Sequence, residues 1–251
     1  MAVKIITDSV ADLPPQVAKE LGITIIPLNV RFGTEIYRDG IDLTSEQFYD
    51  RLVHSEVLPF TTAPSPGDFT EAYDRLAEEA DEILAIIVSS KLSVTYEVAA
   101  QGRELRKSKR RLEIIDTQWG IMAEGLVVIT AAKAANSGAS LDEVMNLTHR
   151  NIRRVDLHIA FDTLKYLKKG GRIGAAQAFL GSMLKTNPIL TLKDGSVQPV
   201  TRERSRTKAI DYLYNFVTRF SHIEEMAIED ANTPGDAEML AERIGSRFPK
   251  E

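Results

Sequence analysis

The chain has 251 residues, 43% of them hydrophobic and 27% charged, which is the balance of an ordinary globular protein of one large domain or two modest ones. Its net charge of −5 argues against non-specific nucleic-acid binding, and the lack of cysteine excludes disulfides, thiolate zinc sites and cysteine nucleophiles. Because no apolar run resembles a signal peptide or approaches the length of a membrane span, we expect a cytoplasmic protein without stable membrane insertion.

The first 155 residues alternate β-rich and helical segments. Strands are predicted at residues 3–6, 24–30, 83–88 and 112–115. Helices are predicted at residues 14–21, 44–53, 66–80, 92–107, 122–136 and 141–155. Such alternation implies helical crossovers between parallel strands, so residues 1–155 are predicted to form an α/β domain with a mainly parallel sheet flanked by helices.

The rest of the chain has a different pattern. Strands are predicted at residues 157–161, 188–192, 197–201 and 226–229, and helices at 163–168, 207–220 and 235–248. Asp194 and Gly195 lie between two apolar runs, which is a strong hairpin signal. Residues 156–251 are therefore predicted to form a second, α+β domain.

The sequence lacks the usual signatures of hydrolytic and metal chemistry. No serine lies in the G-x-S-x-G context of a nucleophile elbow, and H-E-x-x-H is absent. The four histidines have plain surface or packing interpretations: His54, His149, His158 and His222. We predict no metal site, no cofactor and no catalytic serine.

A phosphate-binding alternative depends on a glycine turn. Gly170 and Gly171 with Arg172 could surround an anion, or they could simply end one helix before the next begins. With Asp8, the same residues would suit a phosphoryl- or acyl-transfer enzyme. Three alternate arginines precede the helix at 207–220 and could contact a partner or a phosphate, or remain solvated: Arg202, Arg204 and Arg206.

Hydroxyl side chains gather where two predicted helices begin. The stretch "IIVSSKLSVTY" (86–96) places Ser89, Ser90 and Ser93 after a buried strand, at the edge where α/β proteins bind ligands. A second cluster lies in "FTTAPSPGDF" (60–69), with Thr61, Thr62 and Ser65 before a helix. Such clusters can hold a carboxylate without any chemistry. Helix capping by Ser90 and Ser65 is the alternative, but it does not explain the other hydroxyls.

Five motifs, taken together, indicate a family. They are "IITDSVADLP" (5–14), "TTAPSPGDF" (61–69), "VSSKLSVTY" (88–96), "IIDTQ" (114–118) and "LKYLKKGGRIGAAQAFLGSMLKTNPIL" (164–190). In this order they resemble the DegV family of bacterial fatty-acid-binding proteins, from residue 3 to about residue 248. The segment "AAQAFLGSML" (175–184), with small and large apolar residues mixed on a predicted helix, suits a tunnel wall or plain core.

The resemblance implies a non-catalytic, two-domain carrier of one long-chain fatty acid. The acyl chain would occupy an apolar tunnel, and hydroxyls at the domain junction would hold the carboxylate. In related proteins these are a threonine and a serine that match Thr61 and Ser93, with Thr62 beside them and Ser89 and Ser90 shaping the turn.

The resemblance also implies a partner. Some family members deliver the bound acid to a separate ATP-dependent fatty acid kinase that makes an acyl phosphate. Arg204 occupies the place of an arginine that matters for docking or transfer there, and Arg172 would be supportive.

The sequence departs from the family pattern in three ways. Val94 replaces the usual glycine after the serine, and Ala63 replaces a common glutamine. The family usually continues past Phe248 with a further strand and a "GTHxGPG"-like segment whose histidine contacts the carboxylate. Its absence from this sequence implies a truncated form or a clamp with fewer donors.

Overall fold

The structure, a computed structural model, describes residues 3–182 and 186–248. The chain divides into two compact units, Met1–Val155 and Asp156–Glu251. The strands and helices of the first unit are, in chain order, β1 (Val3–Asp8), α1 (Pro15–Leu21), β2 (Thr24–Ile26), β3 (Asn29–Phe32), β4 (Glu35–Arg38), α2 (Ser45–His54), β5 (Phe60–Thr62), α3 (Pro66–Glu79), β6 (Glu82–Ile87), α4 (Thr95–Leu105), β7 (Arg111–Asp116), α5 (Ile121–Asn136) and α6 (Leu141–Ile152).

A parallel sheet forms the centre of the first unit. Its strand order is β2-β1-β6-β7, and each described neighbouring pair is parallel. Alternate residues of β6 enter different cores: Leu84 and Ile86 pack with α1, α5 and α6, whereas Ala85 and Ile87 pack with α3 and α4. Burial on both faces explains why β6 is an unbroken apolar run. The predicted α/β class with a mainly parallel sheet is confirmed.

Pro27 separates two strands that the sequence predicted as one. The predicted strand at 24–30 is wrong, because β2 belongs to the parallel sheet and β3 to an antiparallel sheet of order β4-β3-β5. Proline cannot donate to a sheet ladder, and the next amide, that of Leu28, donates instead to Ser9 Oγ at 3.1 Å. The chain therefore leaves the first sheet after Ile26. The short strands β4 and β5 were not predicted.

The strands and α-helices of the second unit are β8 (Ile159–Ala160), α7 (Lys165–Lys169), β9 (Asn187–Lys193), β10 (Ser196–Glu203), α8 (Arg206–Val217) and α9 (Pro234–Arg247). The three strands form an antiparallel sheet of order β10-β9-β8. The predicted hairpin is confirmed: β9 and β10 pair antiparallel around Asp194 and Gly195, whose φ angles of 50° and 80° are typical of a tight hairpin turn.

Two predictions in the second unit differ from the structure. The predicted strand at 226–229 is wrong: the segment pairs with no strand among the described residues, and Met226 is 43% exposed. Without a hydrogen-bonded neighbour, β propensity alone does not make a strand. Residues Gly174–Ser182 form a 3₁₀ helix, with Ala176 buried. Met183 and Leu184 of the predicted tunnel wall lie outside the described residues.

The crossing of α3 and α4 depends on a glycine. A Cβ at Gly102 would lie 2.6 Å from Phe69 Cβ and 2.9 Å from the Pro66 carbonyl oxygen. We expect Gly102→Ala to lower the free energy of unfolding by about 1–3 kcal/mol, because the helices must move apart. Gly67→Ala is the matched control, since its nearest neighbour is Ser65 Oγ at 3.5 Å. Equal urea midpoints for the two variants would contradict this packing argument.

Candidate functional site

The carboxyl ends of β1, β6 and β7 bring polar residues to one edge of the parallel sheet. β1 ends at Asp8, β7 ends at Asp116, and Ser89 and Ser90 follow β6. Strands of one parallel sheet end at the same edge, so this clustering follows from the topology. The sequence placed Ser89 and Ser90 after a buried strand, and that strand is β6 of the parallel sheet.

The segment that follows β6 is a hydrogen-bonded turn before α4. The predicted helix at 92–107 begins only at Thr95, which leaves residues 88–94 free to form this turn. The Ser89 amide donates to the Trp119 carbonyl at 2.8 Å, and the Ser93 amide donates to the Ser89 carbonyl at 3.1 Å. The buried Ser89 Oγ accepts from the Lys91 amide at 3.2 Å. These bonds fix where Ser93 lies relative to the sheet edge.

The two serines proposed as helix caps behave differently. Ser65 does cap α3: its Oγ accepts from the Asp68 amide at 3.2 Å, and the Asp68 carboxylate accepts from the Ser65 amide. Ser90 caps no helix, so the capping interpretation is right for Ser65 and wrong for Ser90. Its hydroxyl donates to Asp116 Oδ2 at 2.6 Å, which ties the turn after β6 to the end of β7.

Two hydroxyls meet at the start of α4. Ser93 Oγ lies 2.7 Å from Thr95 Oγ1 and accepts from the Thr95 amide at 3.3 Å. Val94 is the N-cap residue, and its apolar side chain makes no capping hydrogen bond. The first amides of a helix have no partner within it and carry positive partial charge. This arrangement suits an anion.

The threonines of the second cluster lie on β5. Thr61 is exposed and pairs with Val30 of β3, and the half-buried Thr62 pairs with Asn29. Among the described residues, no hydrogen bond joins either threonine to Ser93. Thr61, Thr62 and Ser93 all lie in the first unit. The two threonines belong to the antiparallel sheet, whereas Ser93 follows a strand of the parallel sheet.

Asp8 is fully buried and supports the start of the turn. Its Oδ2 accepts from the Val88 amide at 2.9 Å, and its Oδ1 accepts from the Val10 amide at 2.9 Å. Burial raises the pKa of Asp8 to about 6, although these two hydrogen bonds lower it. Each oxygen accepts from a backbone amide and the side chain is fully buried, so Asp8 has a structural role in holding the turn.

Glu124 is a second buried carboxyl that the sequence analysis missed. Its Oε1 accepts from Thr7 Oγ1 at 3.2 Å, and its buried Oε2 has no hydrogen-bond partner among the described residues. Burial raises the pKa of Glu124 well above its usual range, and the charges of Asp8, Asp12 and Asp116 raise it further. The signal was a lone acidic residue inside the apolar helix α5.

The predicted arginine contacts lie in the second unit. Arg172 is exposed, and its Nη1 donates to the Gly170 carbonyl at 2.6 Å. Arg204 is exposed, whereas the Arg202 guanidinium lies 4.2 Å from the centre of the Phe179 ring. Arg206 pairs with Asp162 and Asp236, which gives it a structural role in holding α8. The three alternate arginines therefore do not act as one row.

Comparison with known proteins identifies the family. The model of the DegV family, described as uncharacterised proteins, matches residues 2–251. A DegV domain-containing protein of Clostridium perfringens is 37% identical over 234 residues, which cover 92% of this chain and 82% of that protein. The chain belongs to the DegV family.

Solved structures of DegV-family proteins share the fold. DegV, a fatty acid binding protein from Bacillus subtilis, matches with a TM-score of 0.89 and 28% identity over 99% of this chain and 89% of its own. A second match is a DegV family protein from Thermus thermophilus, whose structure is described as showing fatty acid binding. Its TM-score is 0.79 and its identity 35%, over 87% of this chain and 78% of its own. Within the residues described for this DegV-family protein, no helix is long and apolar enough to cross a membrane.

Proposed function

We propose that this protein is a carrier that binds one long-chain fatty acid, with the carboxylate held at the start of α4 by Ser93. The observation that carries this proposal is the Ser93–Thr95 hydroxyl pair at the start of α4, where the N-cap residue Val94 makes no side-chain hydrogen bond. Fatty acid binding by the Bacillus subtilis and Thermus thermophilus proteins supports the choice of ligand.

The energetics of a fatty acid suit such a site. Each buried CH₂ group contributes about 0.8 kcal/mol, so a long acyl chain supplies most of the affinity. Its carboxylate then needs hydrogen-bond donors, since an unpaired buried charge would offset that gain. A serine hydroxyl and backbone amides of the first helical turn after Thr95 can provide them without a catalytic base. We place Thr61 and Thr62 as further donors to the same carboxylate.

A separate fatty acid kinase is the partner that we propose for the loaded carrier. The exposed Arg204 side chain is available for docking or for contact with the transferred group. Arg172, in the turn after α7, is the supporting residue for the same docking or transfer contact. This part of the proposal depends on the family resemblance of these positions.

The alternative of a phosphoryl- or acyl-transfer enzyme gains no support from Asp8. An acyl- or phosphoryl-accepting carboxylate must reach its substrate, whereas Asp8 is fully buried and bonded to two backbone amides. Arg172 donates to its own turn.

The first test is to extract purified protein with organic solvent under denaturing conditions and to identify the lipids by mass spectrometry. We expect about one fatty acid per chain with a narrow distribution of chain length. If the extract contains no fatty acid, delipidated protein is titrated with a series of saturated and unsaturated fatty acids. Failure to bind any of them would overturn the proposal.

Ser93→Ala is expected to weaken fatty acid binding by about tenfold or more, because a hydrogen bond to a charged group contributes about 1.5–3 kcal/mol. Isothermal titration of delipidated protein measures the effect. Ser137→Ala is the matched control, since Ser137 Oγ donates to the Lys133 carbonyl at the far end of α5. Unchanged affinity in Ser93→Ala would remove Ser93 from the site.

A further inference from the structure

Thr95 lies directly behind the proposed carboxylate-binding serine. It is the first residue of α4 and is fully buried, whereas Ser93 is only half-buried. Two contacts connect them: the hydroxyl oxygens are 2.7 Å apart, and the Thr95 amide donates to Ser93 Oγ at 3.3 Å. Ser93 is therefore the outer member of the pair and Thr95 the inner member.

The donor and acceptor count decides how the pair meets an anion. A hydroxyl has one hydrogen to donate and two lone pairs with which to accept. If the Thr95 hydroxyl donates to Ser93, both lone pairs of Ser93 Oγ are filled, by the amide and by the hydroxyl of Thr95. The one hydrogen of Ser93 is then free to donate outward. In the opposite orientation Ser93 spends its hydrogen on Thr95 and has none for a ligand.

We propose that Thr95 is a positioning residue. Its hydroxyl does not contact the fatty acid, but it donates to Ser93 Oγ and so leaves the Ser93 hydrogen free to bind the carboxylate. This inference rests on the proposed function. A carboxylate that accepts from Ser93 favours the productive orientation, because linked hydrogen bonds polarise and strengthen one another. The hydroxyl of Thr95 thus acts on affinity only through Ser93.

The dependence on Ser93 separates this role from ordinary packing. A threonine that only fills space at the start of α4 would have the same effect on affinity whether or not residue 93 has a hydroxyl. A positioning residue loses its effect when the hydroxyl that it orients is removed. Thr95→Ser keeps the inner hydroxyl, whereas Thr95→Val keeps the shape and removes it.

The experiment is a double-mutant cycle on delipidated protein, with affinity for one saturated long-chain fatty acid measured by isothermal titration. We expect Thr95→Val to weaken binding about fivefold to tenfold in the parent and less than twofold in Ser93→Ala. Thr95→Ser should stay within about twofold of the parent. Thr95→Ala replaces Thr95→Val if the latter does not fold.

Thr148→Val controls for the burial of valine in place of threonine, since Thr148 is buried on α6 and donates to the Val144 carbonyl at 2.7 Å. Its affinity should equal that of the parent. Equal losses from Thr95→Val in both backgrounds, or a Thr95→Ser variant as weak as Thr95→Val, would overturn the inference alone. A parent protein that binds no fatty acid would overturn the proposed function and this inference with it.

Discussion

Glu124→Gln is expected to stabilise the protein, and the gain should grow with pH. Glutamine matches the shape of the protonated carboxyl, and its side-chain oxygen can still accept from Thr7 Oγ1. It carries no charge at any pH. Since burial and three nearby acidic groups raise the pKa of Glu124, the substitution removes a proton-binding site from the core.

The sign of the pH dependence follows from proton linkage. Between its usual value of 4.5 and its raised value in the folded protein, Glu124 holds a proton that it has lost in the unfolded chain. The free energy of unfolding therefore falls as pH rises through that window, by about 1.4 kcal/mol per pH unit for one group. The contribution of protonated Glu124 to the stability of the parent protein is fully present below pH 4.5 and is lost as pH rises through the raised pKa.

Urea unfolding at pH 5, 6 and 7 tests this expectation. The difference in unfolding free energy between Glu124→Gln and the parent should grow by up to about 2.5 kcal/mol across this range. Glu78→Gln is the matched control, because Glu78 is exposed on α3 and its charge costs no burial. A difference that stays constant with pH would show that Glu124 is ionised in the folded protein throughout.

The parallel sheet was predictable because its strands are buried on both faces. The run at residues 83–87 is apolar without alternation, and the polar residues after it mark the edge of the sheet. The hairpin at Asp194 and Gly195 was predictable for a different reason, since both positions need a positive φ that this pair adopts readily. Local chemistry was sufficient in both cases.

Other features depend on neighbours that the local sequence does not contain. The segment at 226–229 has strand-like residues, but a strand also needs a partner. Ser90 stands where a cap is expected, yet its hydroxyl binds Asp116, which is 26 positions away in the sequence. The assignment of strand or cap in these segments was decided by long-range contacts.

The candidate site was predictable in part. The hydroxyl pattern identified Ser93 as a candidate, whereas the orienting role that we propose for Thr95 depends on which of two adjacent hydroxyls is buried. Glu124 could have been noticed as a lone charge in the apolar stretch of α5. Its proximity to the Asp8 charge was not visible in the sequence, because these residues are 116 positions apart and meet only through the fold.

Asp8→Ala is expected to lower the free energy of unfolding by about 2–5 kcal/mol, even though it removes a buried charge. The substitution leaves the Val88 and Val10 amides without their acceptor, and a buried unsatisfied donor costs about 1–3 kcal/mol. Asp8→Asn should cost less, because its amide oxygen can accept from one of the two. Urea unfolding at pH 7 measures both variants.

Asp74→Ala tests whether burial is the reason. Asp74, on α3, also accepts from two backbone amides, those of Lys107 and Ser108 at 3.0 and 2.9 Å, but these amides lie in the surface loop after α4. Water replaces a lost acceptor there, so we expect a cost below about 1 kcal/mol. Comparable losses in Asp74→Ala and Asp8→Ala would contradict the argument from burial.

The Asp8 variant should also change the segment that leads to Ser93. Val88 begins the turn, so loss of its acceptor is expected to speed amide hydrogen exchange at Val88 relative to the parent, with the central strand β6 less affected. Removal of the Asp8 charge also removes one of the charges that raise the pKa of Glu124. The pH-dependent gain from Glu124→Gln should therefore be smaller in Asp8→Ala than in the parent, and an unchanged gain would show that the two carboxyls do not interact.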